Sequence, residues 1–213
     1  MSFYGNSSKY LIEKAVSDGV LQECQITSCD LEDLLVSGVL WKETNMQDLN
    51  ANGIVFKDTK CLSSNFFQVS MMDASFNNSS IEACSFKGLS LIRSKWLNTR
   101  IENLTLELST LQRSSFSHTN FINSRIIDIE AGYTKVDSCI FKDTDFDQAV
   151  ISNTFFYNCT FSGYPLRGAQ LENCIFCNCS GQIGDEIIAD NVYGLGLNNT
   201  NQKKIDNLEE AQQ

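Results

Sequence analysis

Residues 66–101 read FFQVS MMDAS FNNSS IEACS FKGLS LIRSK WLNTR I, and written in fives they align with one another. Each block opens on a large apolar residue: Phe66, Met71, Phe76, Ile81, Phe86, Leu91, Trp96, then Ile101. The beat continues in both directions without an insertion, back through Cys61, Phe56 and Trp41 to Leu21 and on through Phe116, Phe121, Phe141 and Phe156 to Phe176. That makes 32 beats in one register, with Ala51 and Ala131 the smallest of them. A period of five is neither the 3.6 of a helix nor the 2 of a strand. Self-similarity at a fixed period marks a repeat architecture.

A second position is locked to the first. Two residues before each beat stands a compact side chain, among them Cys24, Thr44, Thr59, Ala74, Ser79, Cys84, Ser94, Thr119, Cys139, Thr154 and Cys174. The exceptions are mostly aliphatic, and Tyr164 is the largest. The other three positions of each five are mostly polar. Two inward residues in five require the chain to turn once per unit, so four units make a square coil of about twenty residues. Coils stacked at the ordinary strand spacing of ~4.8 Å give a rod about 38 Å long for eight coils. No unit buries its apolar residue alone, so the coils stabilise one another only as a stack.

This pattern resembles the pentapeptide-repeat family, over residues of about 19 to 180. The resemblance implies an all-β solenoid, a right-handed quadrilateral β-helix of about eight coils. The family prefers Ala at the compact position, whereas Ser, Thr and Cys dominate here. Residues 1–18 are expected to hold a capping helix, about Ser8 to Asp18. Ser7 or Ser8 would cap it, Leu11, Ile12, Ala15 and Val16 would form its apolar face, and Gly19 would end it. Residues 181–213 are expected to form a C-terminal cap and polar tail. Asp185 to Ala189 would make a helical turn closing the last coil, and the tail beyond would be partly disordered or weakly helical. Pro165, the only proline, is read as outward-facing in the last coil, where a missing N–H is tolerable.

Composition narrows the function. The formal net charge is −10, from 26 acidic and 16 basic residues. No basic run stands out along the chain, which speaks against direct nucleic-acid binding. The nine cysteines fall largely on inward positions and read as small buried hydrophobes rather than as a disulfide framework. Cys139, Cys159 and Cys179 should stack as a ladder. The N-terminus lacks a long apolar run, so the expected location is cytoplasmic, without membrane contact. The Asn, Ser, Ile and Lys usage suggests a bacterial source.

No catalytic, cofactor or metal constellation emerges. His118, the single histidine, lies on an outward corner. Cys174, Cys177 and Cys179 resemble a thiolate cluster, but Cys177 should point outward while the other two point inward on different faces. Asp143, Asp145 and Asp147 line a convex surface. Gly194 to Gly196 does not follow a strand–helix unit and is not a phosphate loop.

The chain is therefore read as non-enzymatic, with no cofactor. Its outward apolar residues are the interface candidates. Phe155 and Ile175 should stack on one face of the last coils, as should Tyr157 and Cys177, a patch covered either by the C-terminal tail or by a partner. Met72 and Ile92 form a second group with Phe67 and Leu97 flanking, and Leu35 and Val55, with Leu40 nearby, form a third. The leading expectation is a protein–protein interaction rod, a scaffold or adaptor, acting as monomer or homodimer. The family resemblance implies an alternative, a DNA-mimicking protein that protects gyrase. Against it, ~38 Å of duplex carries about 22 charges, while the solenoid's net charge is −6. A secreted effector or secretion adaptor is a further alternative that the resemblance implies.

Overall fold

The computed structural model describes residues 2–4, 8–184 and 187–194. Every beat from Leu21 to Phe176 is buried. The chain turns a corner after each one, and the corner has a repeated cause. Two residues past the beat the backbone enters the left-handed region: φ is 50° at Asn78 and Asn98, 53° at Asn103 and 49° at Asn153. Asn, Asp and Gly adopt this conformation most readily, which accounts for their recurrence there. Leu108 (φ 51°) and Tyr133 (φ 56°) are held in it as well.

Four faces result, each carrying every fourth beat. Face 1, from Leu21 to Gly181, and face 4, from Val36 to Gly194, are each a nine-stranded parallel sheet. Face 2 begins with a seven-stranded sheet ending at Arg125–Ile127. Successive strands sit twenty residues apart in register, so that Phe76 pairs with both Phe56 and Trp96. The right-handed solenoid has about nine turns rather than eight. The extra turn arises because stacking continues past Cys179. Ile188–Asp190 pairs with Gln170–Glu172, and Tyr193–Gly194 pairs with Ile175–Cys177. The step there is eighteen residues, Gln170 opposite Ile188 and Ile175 opposite Tyr193.

This corrects the expectation of a helical turn closing the last coil, because Ile188 and Ala189 are extended and paired. Asp185, Glu186 and everything from residue 195 lie outside the described residues, so the expectations for the polar tail do too. At the other end, Ser8–Ser17 is helical. The helix buries Ile12 completely and packs Ala15 and Val16 on the core, and Gly19 follows at φ 81°. Ser7 and the side chain of Leu11 lie outside the described residues. Ser2–Tyr4, which carries no repeat signal, adds a strand to face 2 by pairing with Gln25–Thr27.

Face 3 is built in two ways. At Leu31, Ala51, Met71, Leu91 and Leu111 it is a tight turn, closed by the amide three residues on donating to the beat's carbonyl at 3.1–3.2 Å. At Glu130–Gly132 it becomes a strand and begins a four-stranded sheet. The tight turn then moves to face 2, at Phe146 and Leu166 (3.0 and 3.1 Å). At this changeover the core holds an apolar cavity of about 40 Å³, bordered by Trp96, Leu111, Phe116, Ile126, Ala131 and Phe146 among others.

One coil departs from the expected register. Tyr164 is 51% exposed and Pro165 is buried, the reverse of the expected orientation. Gly163 (φ 78°) and Tyr164 (φ 59°) are left-handed in succession. That extra turn sends the oversized phenol out and brings the proline ring in. Nor is this the last coil: Pro165 lacks an N–H to donate, but its carbonyl accepts the Phe146 amide at 2.9 Å.

The preference for Ser, Thr and Cys at the compact position has a physical basis. A buried hydroxyl left without a partner costs ~1–3 kcal/mol. Here the hydroxyl reaches a backbone carbonyl two residues back, one from the coil before, or both, except at Ser94, which donates to Ser114 Oγ at 3.1 Å. Thr59 donates to Val36 O (2.9 Å) and Lys57 O (3.1 Å). Thr119 donates to Trp96 O at 3.2 Å, and Ser114 to Leu91 O at 2.8 Å. Cys174 and Cys179 make the longer thiol version, to Ile151 O and Phe156 O. Between these rows run aromatic columns. Phe76 stacks on Phe56 at 5.1 Å and on Trp96 at 3.9 Å, and Phe156 stacks on Phe176 at 4.5 Å. Trp96 Nε1 donates to Ser94 Oγ at 2.9 Å, whereas the fully buried Trp41 Nε1 has no acceptor among the described residues.

Candidate interaction face

The outer surface of face 4 is ordered by the strand register. The residue before each beat follows the one in the previous coil, giving a column of Leu35, Val55, Ser75, Lys95, Ser115, Lys135, Phe155, Ile175 and Tyr193. The residue after each beat gives a parallel column in which Leu97, Ser117, Asp137, Tyr157 and Cys177 are consecutive. Near the C-terminal end both columns turn apolar together. Phe155, Tyr157 and Ile175 are 40%, 41% and 38% exposed, next to the half-buried Cys177 and Tyr193. The Phe155 and Tyr157 rings lie 6.1 Å apart and nearly parallel, at 15°. Two residues apart on a strand, they point to the same side, which makes a flat apolar block.

The other candidates are more scattered. Met72 and Ile92 follow one another on the tight-turn part of face 3 and are half-buried. Phe67 is exposed on face 2 and Leu97 on face 4, opposite sides of the rod, so these four share no plane. Leu35 and Val55 are neighbours on face 4, while Leu40 is on face 1.

The register also joins charges that are far apart in sequence. Lys95, Ser115 and Lys135 are adjacent on face 4, with Arg93 and Arg113 at the left-handed corners leading into it. Arg93 grips Asp73 through two bonds of 2.6 and 2.7 Å. This bond, with the fields of Arg93 and Lys95, holds the Asp73 carboxyl below its usual range. Lys95, Arg113 and Lys135 are exposed and take part in no ion pair among the described residues. A scan for basic runs misses this group. Reading the sequence in steps of twenty finds it.

The remaining candidate chemistry does not converge. His118 is exposed on a corner, with Nδ1 2.9 Å from Ser117 Oγ. Among the described residues, no three His, Cys, Asp or Glu side chains are placed to hold a metal. All nine cysteines are thiols, and only Cys177 is not fully buried. Cys159 Sγ donates to Tyr157 O at 3.3 Å and lies between the free thiols of Cys139 and Cys179. The Cys139 contact, more than burial, pushes the Cys159 thiol up to about 12. Burial pushes Cys174 up to about 11. Such thiols are poor nucleophiles. No described helix is long and apolar enough to cross a membrane.

The sequence pattern of pentapeptide repeats matches residues 139–176, in eight copies. No curated protein matches the chain in sequence. Among solved structures, it is similar to HetL, a pentapeptide repeat protein involved in heterocyst differentiation regulation in the cyanobacterium Nostoc sp. strain PCC 7120. The identity is 10%, the alignment covers 87% of this chain and 95% of HetL, and the TM-score is 0.48. It is also similar to QnrB1, a plasmid-mediated fluoroquinolone resistance protein (14% identity, 90% and 88% covered, TM-score 0.44). A third is Rfr23, a pentapeptide repeat protein of the cyanobacterium Cyanothece 51142 (9% identity, 66% and 96% covered, TM-score 0.45). The five-residue register that the family model matches at residues 139–176 runs unbroken from Leu21 to Phe176, so over its coils this chain is similar to the pentapeptide-repeat proteins.

Proposed function

We propose that the chain is a non-enzymatic scaffold or adaptor that binds a partner protein through face 4, with Phe155, Tyr157 and Ile175 as its anchor. The observation carrying this reading is the flat apolar block at the C-terminal end of a nine-stranded sheet. Exposed aromatics that are parallel and contiguous mark interaction surfaces. A solenoid face is rigid, so little ordering cost accompanies binding. Phe67, Met72, Ile92 and Leu97 are secondary contacts at most, because they do not share a plane.

The test is affinity capture from the native host with wild type, Tyr157→Asp and Ile175→Asp, with circular dichroism to establish folding. A specific partner recovered by wild type and lost in both variants supports the proposal. If every partner survives both substitutions, the block is not the interface. Retention lost instead in Met72→Asp and Ile92→Asp would move the interface to face 3.

A further inference from the structure

We propose that the cations beside the apolar block, Lys95, Arg113 and Lys135, receive the carboxylates of the partner, which is an extended protein segment with acidic residues followed by apolar ones. This rests on the reading of face 4 as the binding face and names the chemistry of what binds there.

In a chain with a net charge of −10, three basic side chains without an ion-pair partner among the described residues fall on one edge of one face. Lys95 and Lys135 are two strand steps apart, roughly 10 Å, with Ser115 between them. Arg113 precedes Ser115 by two residues, at the corner. Two acids of the neighbouring strands and corners have partners of their own. Asp73 is held by Arg93, and Asp137, on the Lys135 strand, accepts the Ser138 hydroxyl at 2.9 Å. Lys135 is then directly paired in register with Phe155, and Phe155 with Ile175. Charge passes to apolar surface in a single strand step. A polypeptide lying along the rod axis meets first cations and then aromatic and aliphatic side chains. Cations over a face of this kind orient the partner and speed its encounter, while the apolar contact slows its release.

The probe is a fluorescein-labelled peptide of glutamates followed by Gly-Leu-Phe-Leu, titrated with the full-length protein and read by anisotropy at low salt. The charge variant is Arg113→Glu with Lys135→Glu. Glutamate is tolerated at such corners, since Glu23 and Glu43 occupy the same position at φ 51° and 50°. Two attractions become two repulsions, so affinity should fall about tenfold, and the wild-type affinity should fall as salt rises. Arg113→Lys with Lys135→Arg should stay within about twofold. No binding at about 1 mM peptide, equal binding of the glutamine version, or an unchanged affinity of the charge variant overturns the inference.

Tighter binding of an equally charged duplex DNA, or a salt-dissolved dimer of the protein itself, also overturns it. Tyr157→Asp and Ile175→Asp, measured with the same peptide, separate the two proposals. Loss there with an unaffected charge variant removes only the acidic partner. Loss in the charge variant alone removes the apolar anchor.

Discussion

Ala131→Val should stabilise the protein. Ala131 is a beat residue at the changeover of face 3 from tight turn to strand, and it borders the apolar cavity of about 40 Å³. Two added carbons are worth ~1.6 kcal/mol on transfer from water, at ~0.8 each. Filling the void returns up to ~1 kcal/mol more, at ~24 cal/mol per Å³. Repacking strain of ~1 kcal/mol opposes this, leaving a gain of about 1–2 kcal/mol. For a chain of this size that is a rise in Tm of roughly 2–8 °C. Valine suits a strand, and Val36 and Val136 already serve as beats.

The matched control is Ala51→Val. Ala51 is a fully buried beat that borders neither this cavity nor the smaller void near Phe66 and Phe76, so the same substitution should cost ~1–3 kcal/mol by overpacking. Thermal melts followed by circular dichroism, with chemical denaturation alongside, measure both. A lowered or unchanged Tm for Ala131→Val, or equal effects at the two alanines, refutes the cavity argument.

Three further outcomes follow from particular contacts. Val39→Ser should be ~1 kcal/mol more stable than Val39→Ala in urea, because it offers Trp41 Nε1 the acceptor that Ser94 gives Trp96. Equal stabilities would sink that argument. A thiol reagent added to the native protein should modify Cys177 ahead of the eight buried cysteines, seen by peptide mass mapping; early labelling of Cys159 or Cys174 would contradict the burial described above. Asp73 titrates low because Arg93 binds its ionised form. Its contribution to stability is therefore present above the ordinary carboxylate pKa and is lost as pH falls through the lower, folded value. Arg93→Ala should move the Asp73 carboxyl resonance in NMR titration up toward an ordinary aspartate, and an unmoved midpoint would count against the ion pair.

The coil was legible because a five-residue beat leaves no other regular backbone. Inward and outward positions follow from it except at Gly132, which is buried after its beat, and at Tyr164 and Pro165, where two consecutive left-handed residues shift the pattern by one. What could not be read was anything set by turn type. The tight turn at Leu111 and the strand at Ala131 carry similar five-residue units, and the difference lies in the backbone. The shortened step to Tyr193 was hidden because the beat fades after Phe176. In the candidate face, Phe155 and Ile175 were visible as a pair twenty residues apart. Lys95 and Lys135 were overlooked because a search for local charge runs cannot see neighbours separated by forty residues of chain.

The corner after every beat gives length changes a directional meaning. Inserting five residues ahead of Phe155 would carry Phe155, Tyr157 and Ile175 a quarter turn around the axis, off the side that holds Lys95. Inserting twenty would keep them on that side and move them one layer further along. Evolution of such a rod can therefore re-aim a surface in ninety-degree clicks without altering any residue of it.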